Sequence, residues 1–324
     1  MQERIRSRAI ALLESGACDR VLGWKAGEFF YDVTPAVFTT PEQVGKEFVW
    51  GPFCGANLSK YLIQESRKGG KVAAFLKPCD SYSFVQLLKE HRIWRENTYI
   101  VGVPCQGMCD IDAIRGQGFK GILSVTEEGE DLEVDTLYGC RAMPRREALA
   151  ERCLCCKSRK IVLCDERLGP DGEENPNVRF EEVKRLEAMT PQQRYDFWRG
   201  ELSRCIRCNA CRNVCPACSC EKCVFDNPSS GAENKAAADS FEENLFHIIR
   251  AFHVAGRCTD CGECSRVCPQ HIPLHLLNRK LIQDMNTLYG TYQAGADLDT
   301  RPPLVSYTPE DPEPSVVGTI GGRA

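Results

Sequence analysis

Cys205-Ile206-Arg207-Cys208-Asn209-Ala210-Cys211-Arg212-Asn213-Val214-Cys215-Pro216 and Cys258-Thr259-Asp260-Cys261-Gly262-Glu263-Cys264-Ser265-Arg266-Val267-Cys268-Pro269 are two copies of one pattern, C-x2-C-x2-C-x3-C-P. Three cysteines spaced two residues apart wrap one four-iron cubane in a tight loop, and the fourth ligates the other cluster. The spacing therefore predicts two crossed sets and two [4Fe–4S] clusters. Cys205, Cys208, Cys211 and Cys268 form the first set; Cys258, Cys261, Cys264 and Cys215 form the second. The fourth cysteine of each copy is expected to start a helix and point away from its own loop. Pro216 and Pro269 close the loops and limit backbone donors there. A pair of zinc knuckles is the competing reading. Zinc takes two separated cysteine pairs and four ligands in all, a poorer match to eight cysteines in two proline-ended copies.

Moving outward, 42 residues separate Cys215 from Cys258. Periodicity predicts helices over 191–203, 240–254 and 273–288, the last with Pro273 in its first turn. The apolar face of the middle helix is expected to use Phe241, Leu245, Ile248, Ile249 and Phe252. This helical layout over about 190–285 resembles the α-helical dicluster ferredoxins of succinate dehydrogenase iron–sulfur subunits and heterodisulfide reductase subunits. Arg204, Arg207, Arg212, Arg257 and Arg266 flank the cysteines. They either stabilise the reduced, more anionic cluster or face solvent and an anionic partner surface. His247, His253, His271 and His275 read as helix or loop surface residues without a catalytic part. Cys218, Cys220 and Cys223 follow the first copy and are either ligands of a further cluster or zinc ion, or spare thiols.

The N-terminal half has a different rhythm. A helix is expected over 2–15, then strand-like VLGW and EFFYDV around Lys25-Ala26-Gly27, then a helix over 57–66. Buried strands are expected at 71–77 and 98–103, with Asp80 capping a helix over 81–91 and a short helix near 110–115. A hairpin follows, GILSV and LEVDTL about the turn EEGED. Alternating strands and helices argue for a parallel α/β sheet. The expected organisation is an α/β domain at 1–170, a linker at 171–190, a mostly α-helical dicluster domain at 191–289 and an extended C-terminal tail at 290–324.

Lys77-Pro78-Cys79-Asp80 and Val103-Pro104-Cys105-Gln106 both lie between a buried strand and a helix, at the carboxyl edge where ligands of α/β sheets bind. Cys79, Cys105, Cys109 and Cys54 are the candidate ligands of a third cluster. Cys140, Cys153, Cys155, Cys156 and Cys164 are further candidates, and buried unreactive thiols are the plainer reading.

The 324 residues are 43% apolar with a net charge of −4, which excludes wholesale disorder and gives no basic excess for nucleic acid. The sequence shows no signal-peptide h-region and no run of about 18 apolar residues for a membrane span. Twenty-one cysteines in such a chain point to a reducing cytoplasm, metal ligation and an anaerobic habitat.

Lys77-Pro78-Cys79, Gly102-Val103-Pro104-Cys105-Gln106-Gly107 and Cys153-Leu154-Cys155-Cys156 resemble segments of the beta subunits of deazaflavin (coenzyme F-four-twenty) hydrogenases and formate dehydrogenases, over roughly residues 1–170. With the cysteine repeat behind them, the resemblance implies an electron-transfer subunit of an anaerobic oxidoreductase complex of formate dehydrogenase, hydrogenase or heterodisulfide reductase type. It implies protein partners, a flavoprotein or a dehydrogenase or hydrogenase subunit. Family members usually bind a flavin, so FAD is implied as well, although no G-x-G-x-x-G follows a strand here. The alternative function is a flavin-containing subunit that oxidises or reduces a deazaflavin or nicotinamide carrier. A non-redox scaffold stabilised by clusters is the third.

Overall fold

The computed structural model describes residues 1–173, 178–227 and 240–306, with side chains except those of 240–244. The expectations for Phe241 and for the tail beyond 306 lie outside the described residues.

The N-terminal region is built on a five-stranded sheet in the order β2-β1-β3-β4-β8. β1 (Arg20–Ala26), β3 (Val72–Leu76), β4 (Thr98–Gly102) and β8 (Glu166–Arg167) are parallel neighbours, and β2 (Val33–Phe38) runs antiparallel on the edge. All five residues of β3 are buried, as expected for a parallel strand covered on both faces. The Gln2–Glu14 helix buries Ile5, Ala9 and Leu12 at helical spacing.

The expected strand over Glu28–Val33 is corrected. Gly27 N–H donates to the Asp32 carbonyl, which closes a turn and delays β2 to Val33. Asp80 is not the N-cap either. The helix is Pro78–Lys89, Lys77 is its N-cap, and the Asp80 carboxylate accepts the Lys77 amide at 3.2 Å. Pro78 opens the helix one turn earlier because it has no N–H to leave unpaired.

A second, antiparallel sheet holds β5 (Ile122–Glu128), β6 (Asp131–Thr136) and β7 (Gly139–Pro144). The hairpin was legible from the burial alternation of Leu132, Val134 and Thr136; β7 buries only Met143 and gave no such alternation.

Beyond residue 178 the described elements are helical: Glu181–Glu187, Pro191–Leu202, Ser240–Val254 and Leu274–Tyr289, besides single turns. Thr190 and Gln193 form a capping box at the start of the second of these. Pro273 is the N-cap of the last helix rather than a first-turn residue. The apolar face expected for Ser240–Val254 is reversed. Leu245, Ile248 and Phe252 are exposed and Ile249 is half-buried, whereas Phe246, His247, Arg250, Ala251 and Val254 are buried. Past Gly290 the chain folds back on the protein: Tyr292 is buried and its hydroxyl donates to the Gly256 carbonyl at 3.0 Å.

The two regions are fastened through buried polar groups. Glu263 is 1% exposed and receives the Asn57 amide at 3.1 Å, the Arg152 guanidinium and Arg266 at 2.8 and 2.9 Å. Arg152 also donates to the Cys261 carbonyl at 3.0 Å and the Gly55 carbonyl at 2.8 Å. Burial acts against ionisation of Glu263, but Arg152 and Arg266 outweigh it and hold the carboxyl down to about 2.

Candidate metal centres

Both copies of the repeat take the same backbone path. Arg207 and Asp260 have φ of 52° and 54°; Asn209 and Gly262 have φ of 60° and 70°. A single turn of helix follows each, Ala210–Asn213 and Glu263–Arg266. In the left-handed region Arg207 costs about 1–2 kcal/mol, and Asn209 and Asp260 cost less because short polar side chains visit it more readily. The reversals turn the loop inward: the Arg207 and Asp260 amides donate to the sulfurs of Cys205 and Cys258, each at 3.4 Å. Successive amides turned inward in this way make a concavity suited to an anion. The fourth cysteines do not start helices as expected. Cys215 and Cys268 end the turn, their amides bonded to the carbonyls of Arg212 and Ser265 at 3.3 and 3.1 Å, and the third cysteine sits inside it.

The fold brings the crossed sets together. Cys205, Cys208, Cys211 and Cys268 line one small cavity with Phe246, His247 and Leu274. Cys215 lies within electrostatic reach of Cys258, Cys261 and Cys264. The two sets meet where Cys211 and Cys264 share an apolar cluster with Leu202 and Ile272.

Between the sets sits Arg250. It is 2% exposed, and its Nε and Nη1 have no hydrogen-bond acceptor. The titratable groups that face it are the thiols of Cys264, Cys211, Cys215 and Cys218, and it hydrogen bonds to those of Cys264 and Cys218. A buried cation without a counter-charge costs several kcal/mol, so its place between two nests of inward amides and thiols fits anionic clusters. His247 adds a ring nitrogen 3.2 Å from the Cys205 sulfur. Burial, then Arg250 and Arg207, pushes His247 down to about 3, so it stays neutral. Asn278 Nδ2 lies 3.7 Å from the Cys264 sulfur.

The structure gives the flanking arginines partners that the spacing does not show. Of the five flanking arginines, Arg204, Arg212, Arg257 and Arg266 pair with Glu201, Asp226, Glu90 and Glu263, and Arg207 stacks over Phe246 at 4.1 Å. Two of the supposed surface histidines are buried, His247 at 1% and His275 at 3% exposure. His275 Nδ1 lies 2.8 Å from the Ser265 hydroxyl, beside the second copy. The signal for Arg250 and His247 was their spacing of three, which places both on one helix face.

In the N-terminal region, Cys79 opens the helix after β3 and Cys105 follows β4. They share a cavity with Cys153 and Cys156, and with Lys77, Arg152 and Arg159. The expected partners Cys54 and Cys109 are not in it. Cys54 is held elsewhere in the core, its sulfur accepting the Gly51 amide at 3.3 Å. Cys109 packs with Ile114, Phe119 and Leu149 in the core of the second sheet. How far the chain returns after β7 cannot be read from local spacing; the Glu151–Leu154 turn and the residues just after it bring Cys153 and Cys156 to the sheet edge. Gly107 has φ of 101°, which turns its amide onto the Cys105 sulfur at 3.4 Å, and the Met108 amide meets Cys153 at 3.3 Å. Burial, then Cys153, pushes the Cys105 thiol up to about 12, and burial raises that of Cys79 as well; Lys77 acts the other way on both. Asp260 and Cys261 line the same cavity, so this quartet and the second set of the repeat share a wall.

None of the 21 cysteines, all of them among the described residues, is joined in a disulfide. Among the described residues, no three His, Cys, Asp or Glu side chains close on a single ion. A mononuclear zinc site would hold its sulfurs about 4 Å apart, given Zn–S bonds of about 2.3 Å. No described helix is long and apolar enough to cross a membrane.

Comparison with known proteins agrees with this layout. Residues 201–272 match the 4Fe-4S dicluster domain. The F420-dependent formate dehydrogenase subunit beta of Methanocaldococcus jannaschii is 24% identical, covering 90% of this chain and 91% of that one. The F420-dependent formate dehydrogenase 1 subunit beta of Methanococcus maripaludis is 25% identical, covering 90% of each chain. A chain of the F420-reducing [NiFe] hydrogenase complex of Methanosarcina barkeri superposes at a TM-score of 0.39 and 17% identity over 57% of this chain and 72% of that one, too distant to support a fold argument.

Proposed function

We propose that this chain, similar over most of its length to formate dehydrogenase beta subunits and matching a 4Fe-4S dicluster domain, is the iron–sulfur electron-transfer subunit of an anaerobic formate-oxidising complex. A cubane, when bound, takes up and releases one electron at a time. The observation that carries the reading is the doubled loop: two crossed thiol sets, each with inward amides, flanking one buried guanidinium whose Nε and Nη1 lack an acceptor.

The residues divide the work. Cys205, Cys208, Cys211 and Cys268 hold one cubane, and Cys258, Cys261, Cys264 and Cys215 the other. Cys79, Cys105, Cys153 and Cys156 hold a third at the sheet edge. The amides of Arg207, Asp260 and Gly107 steady the sulfurs, and Arg250 supplies positive charge to the repeat. Phe246, Ile272 and Leu274 exclude water from the first set. Glu263 and Arg152 fix the sheet-edge quartet against the Cys258 loop. The order of sites, sheet edge to Cys258 loop to Cys205 loop, ends at Cys208, which is exposed. That exposure supports exchange with a partner protein at this end. In a reducing cytoplasm all these thiols stay available for metal.

The test is anaerobic co-purification with a formate dehydrogenase catalytic subunit, then formate addition. Formate reduces the chain's clusters in the complex and leaves the isolated chain oxidised. Reduction by deazaflavin or nicotinamide in the isolated chain, with stoichiometric FAD, would support the flavin-dependent alternative instead.

A further inference from the structure

Next to the Cys215 loop lies a cavity of about 340 Å3 that neither repeat set nor the sheet-edge quartet uses. Cys218, Cys220 and Cys223 form part of its wall, and Lys60, Arg212, Arg250 and Arg257 stand around them. Two of the cations are matched: Arg212 pairs with Asp226 at 2.7 Å and Arg257 with Glu90. Lys60 donates to the Cys218 carbonyl, and Arg250 leaves Nε and Nη1 without an acceptor at 2% exposure. Neither has a carboxylate partner among the described residues. The thiols face these cations: Arg250 and Lys60 both face Cys218, Lys60 also faces Cys220, and Arg212 hydrogen bonds to Cys223. Three thiols walled by Lys60, Arg212, Arg250 and Arg257 suit an anionic, sulfur-ligated group.

The cavity is large for one ion, and no three ligating side chains among the described residues converge on one. A polynuclear centre, whose thiolates stand farther apart, matches better. We propose that Cys218, Cys220 and Cys223 bind a further iron–sulfur cluster through three thiolates, separate from the two of the repeat and from that of the sheet edge. The three thiols release their protons to solvent as the iron–sulfur bonds form. The remaining iron takes a ligand other than cysteine, and His253, Glu221 and Asp226 lie in the same wall. Cys218 also hydrogen bonds to Cys215, which puts this centre in direct contact with the second repeat set. The inference rests on the reading of the chain as an iron–sulfur protein.

The test uses the full chain, produced and purified without oxygen. Iron and sulfide are counted, intact mass is measured under native conditions, and the reduced protein is examined by paramagnetic resonance. Cys220→Ser/Cys223→Ser and Cys218→Ser/Cys220→Ser/Cys223→Ser are expected to lose about four irons each and one paramagnetic species, with the dicluster signals kept. Cys220 is exposed, so iodoacetamide mapping of the native wild-type chain gives a second readout independent of variant folding. Protection of Cys220 until iron is chelated supports the site. Immediate alkylation, an unchanged iron count in the double variant, or a single zinc lost with these cysteines overturns it. Failure of the parent reading looks different, because wild-type protein would then lack the dicluster signals as well.

Discussion

Breaking the Arg152–Glu263 contact should loosen the joint between the α/β region and the cysteine repeat. Both side chains are nearly dry, at 9% and 2% exposure. Removing one partner of a buried ion pair costs about 3–5 kcal/mol because the other charge is left uncompensated. In Arg152→Met, Glu263 keeps Arg266 and the Asn57 amide, so the low end, about 3 kcal/mol, applies. Proton linkage gives a figure for the whole Glu263 setting, Arg152, Arg266 and the Asn57 amide together. Glu263 falls from 4.5 to about 2 on folding, which at 1.36 kcal/mol per unit is about 3 kcal/mol. Because the folded value is the lower one, this stability is complete above pH 4.5 and drains away as pH falls toward 2. With a urea slope of about 3 kcal/mol/M, Arg152→Met and Glu263→Gln should each lower the unfolding midpoint by about 1 M at pH 7. The double variant should fall short of the sum by about 1–2 kcal/mol. Anaerobic urea titration followed by tryptophan fluorescence, with iron content checked before each run, makes the measurement. Midpoints within 0.2 M, a window of roughly half a kcal/mol at that slope, or strict additivity, would refute the reasoning.

Arg250→Gln should make both repeat clusters harder to reduce, because it removes the positive charge between them. Potentiometric titration monitored by paramagnetic resonance should show both midpoints moving negative, less so in Arg250→Lys; unmoved midpoints would show that the guanidinium serves packing alone. Cys156→Ser should cost about four irons per chain, while Cys54→Ser should cost none and only soften the core; iron assay separates the two, and the opposite result would restore the ligand set expected from sequence. Gly262→Ala should destabilise by about 2 kcal/mol through the left-handed backbone alone, and more because the added methyl would sit 2.7 Å from Arg152 Cβ. Thermal unfolding checks this, and a Tm unchanged from wild type would mean that the loop relaxes freely.

The repeat was readable because its signal is covalent spacing. A ligand's sequence position fixes its reach within a loop of a dozen residues, and the crossed sets followed from it. The parallel strands were equally plain, since Val72–Leu76 is apolar throughout. What escaped were contacts set by tertiary return of the chain. Nothing local in Cys153 or Cys156 says that the turn after β7 carries them beside Cys79 and Cys105, and nothing in Gly51-Pro52-Phe53-Cys54 keeps that sulfur away. The inverted face of Ser240–Val254 has a physical cause. Hydrophobicity alone would bury Leu245, Ile248 and Phe252. The cysteine sites instead select the side carrying His247 and Arg250, which supply charge and a donor to sulfur, and leave an apolar stripe facing outward.

The most direct test of the account is the metal content of the full chain purified without oxygen, paired with its resonance spectrum after dithionite reduction. The account expects at least about eight irons with matching sulfide and signals from coupled reduced cubanes. Zinc in place of iron, with no resonance on reduction, would contradict it.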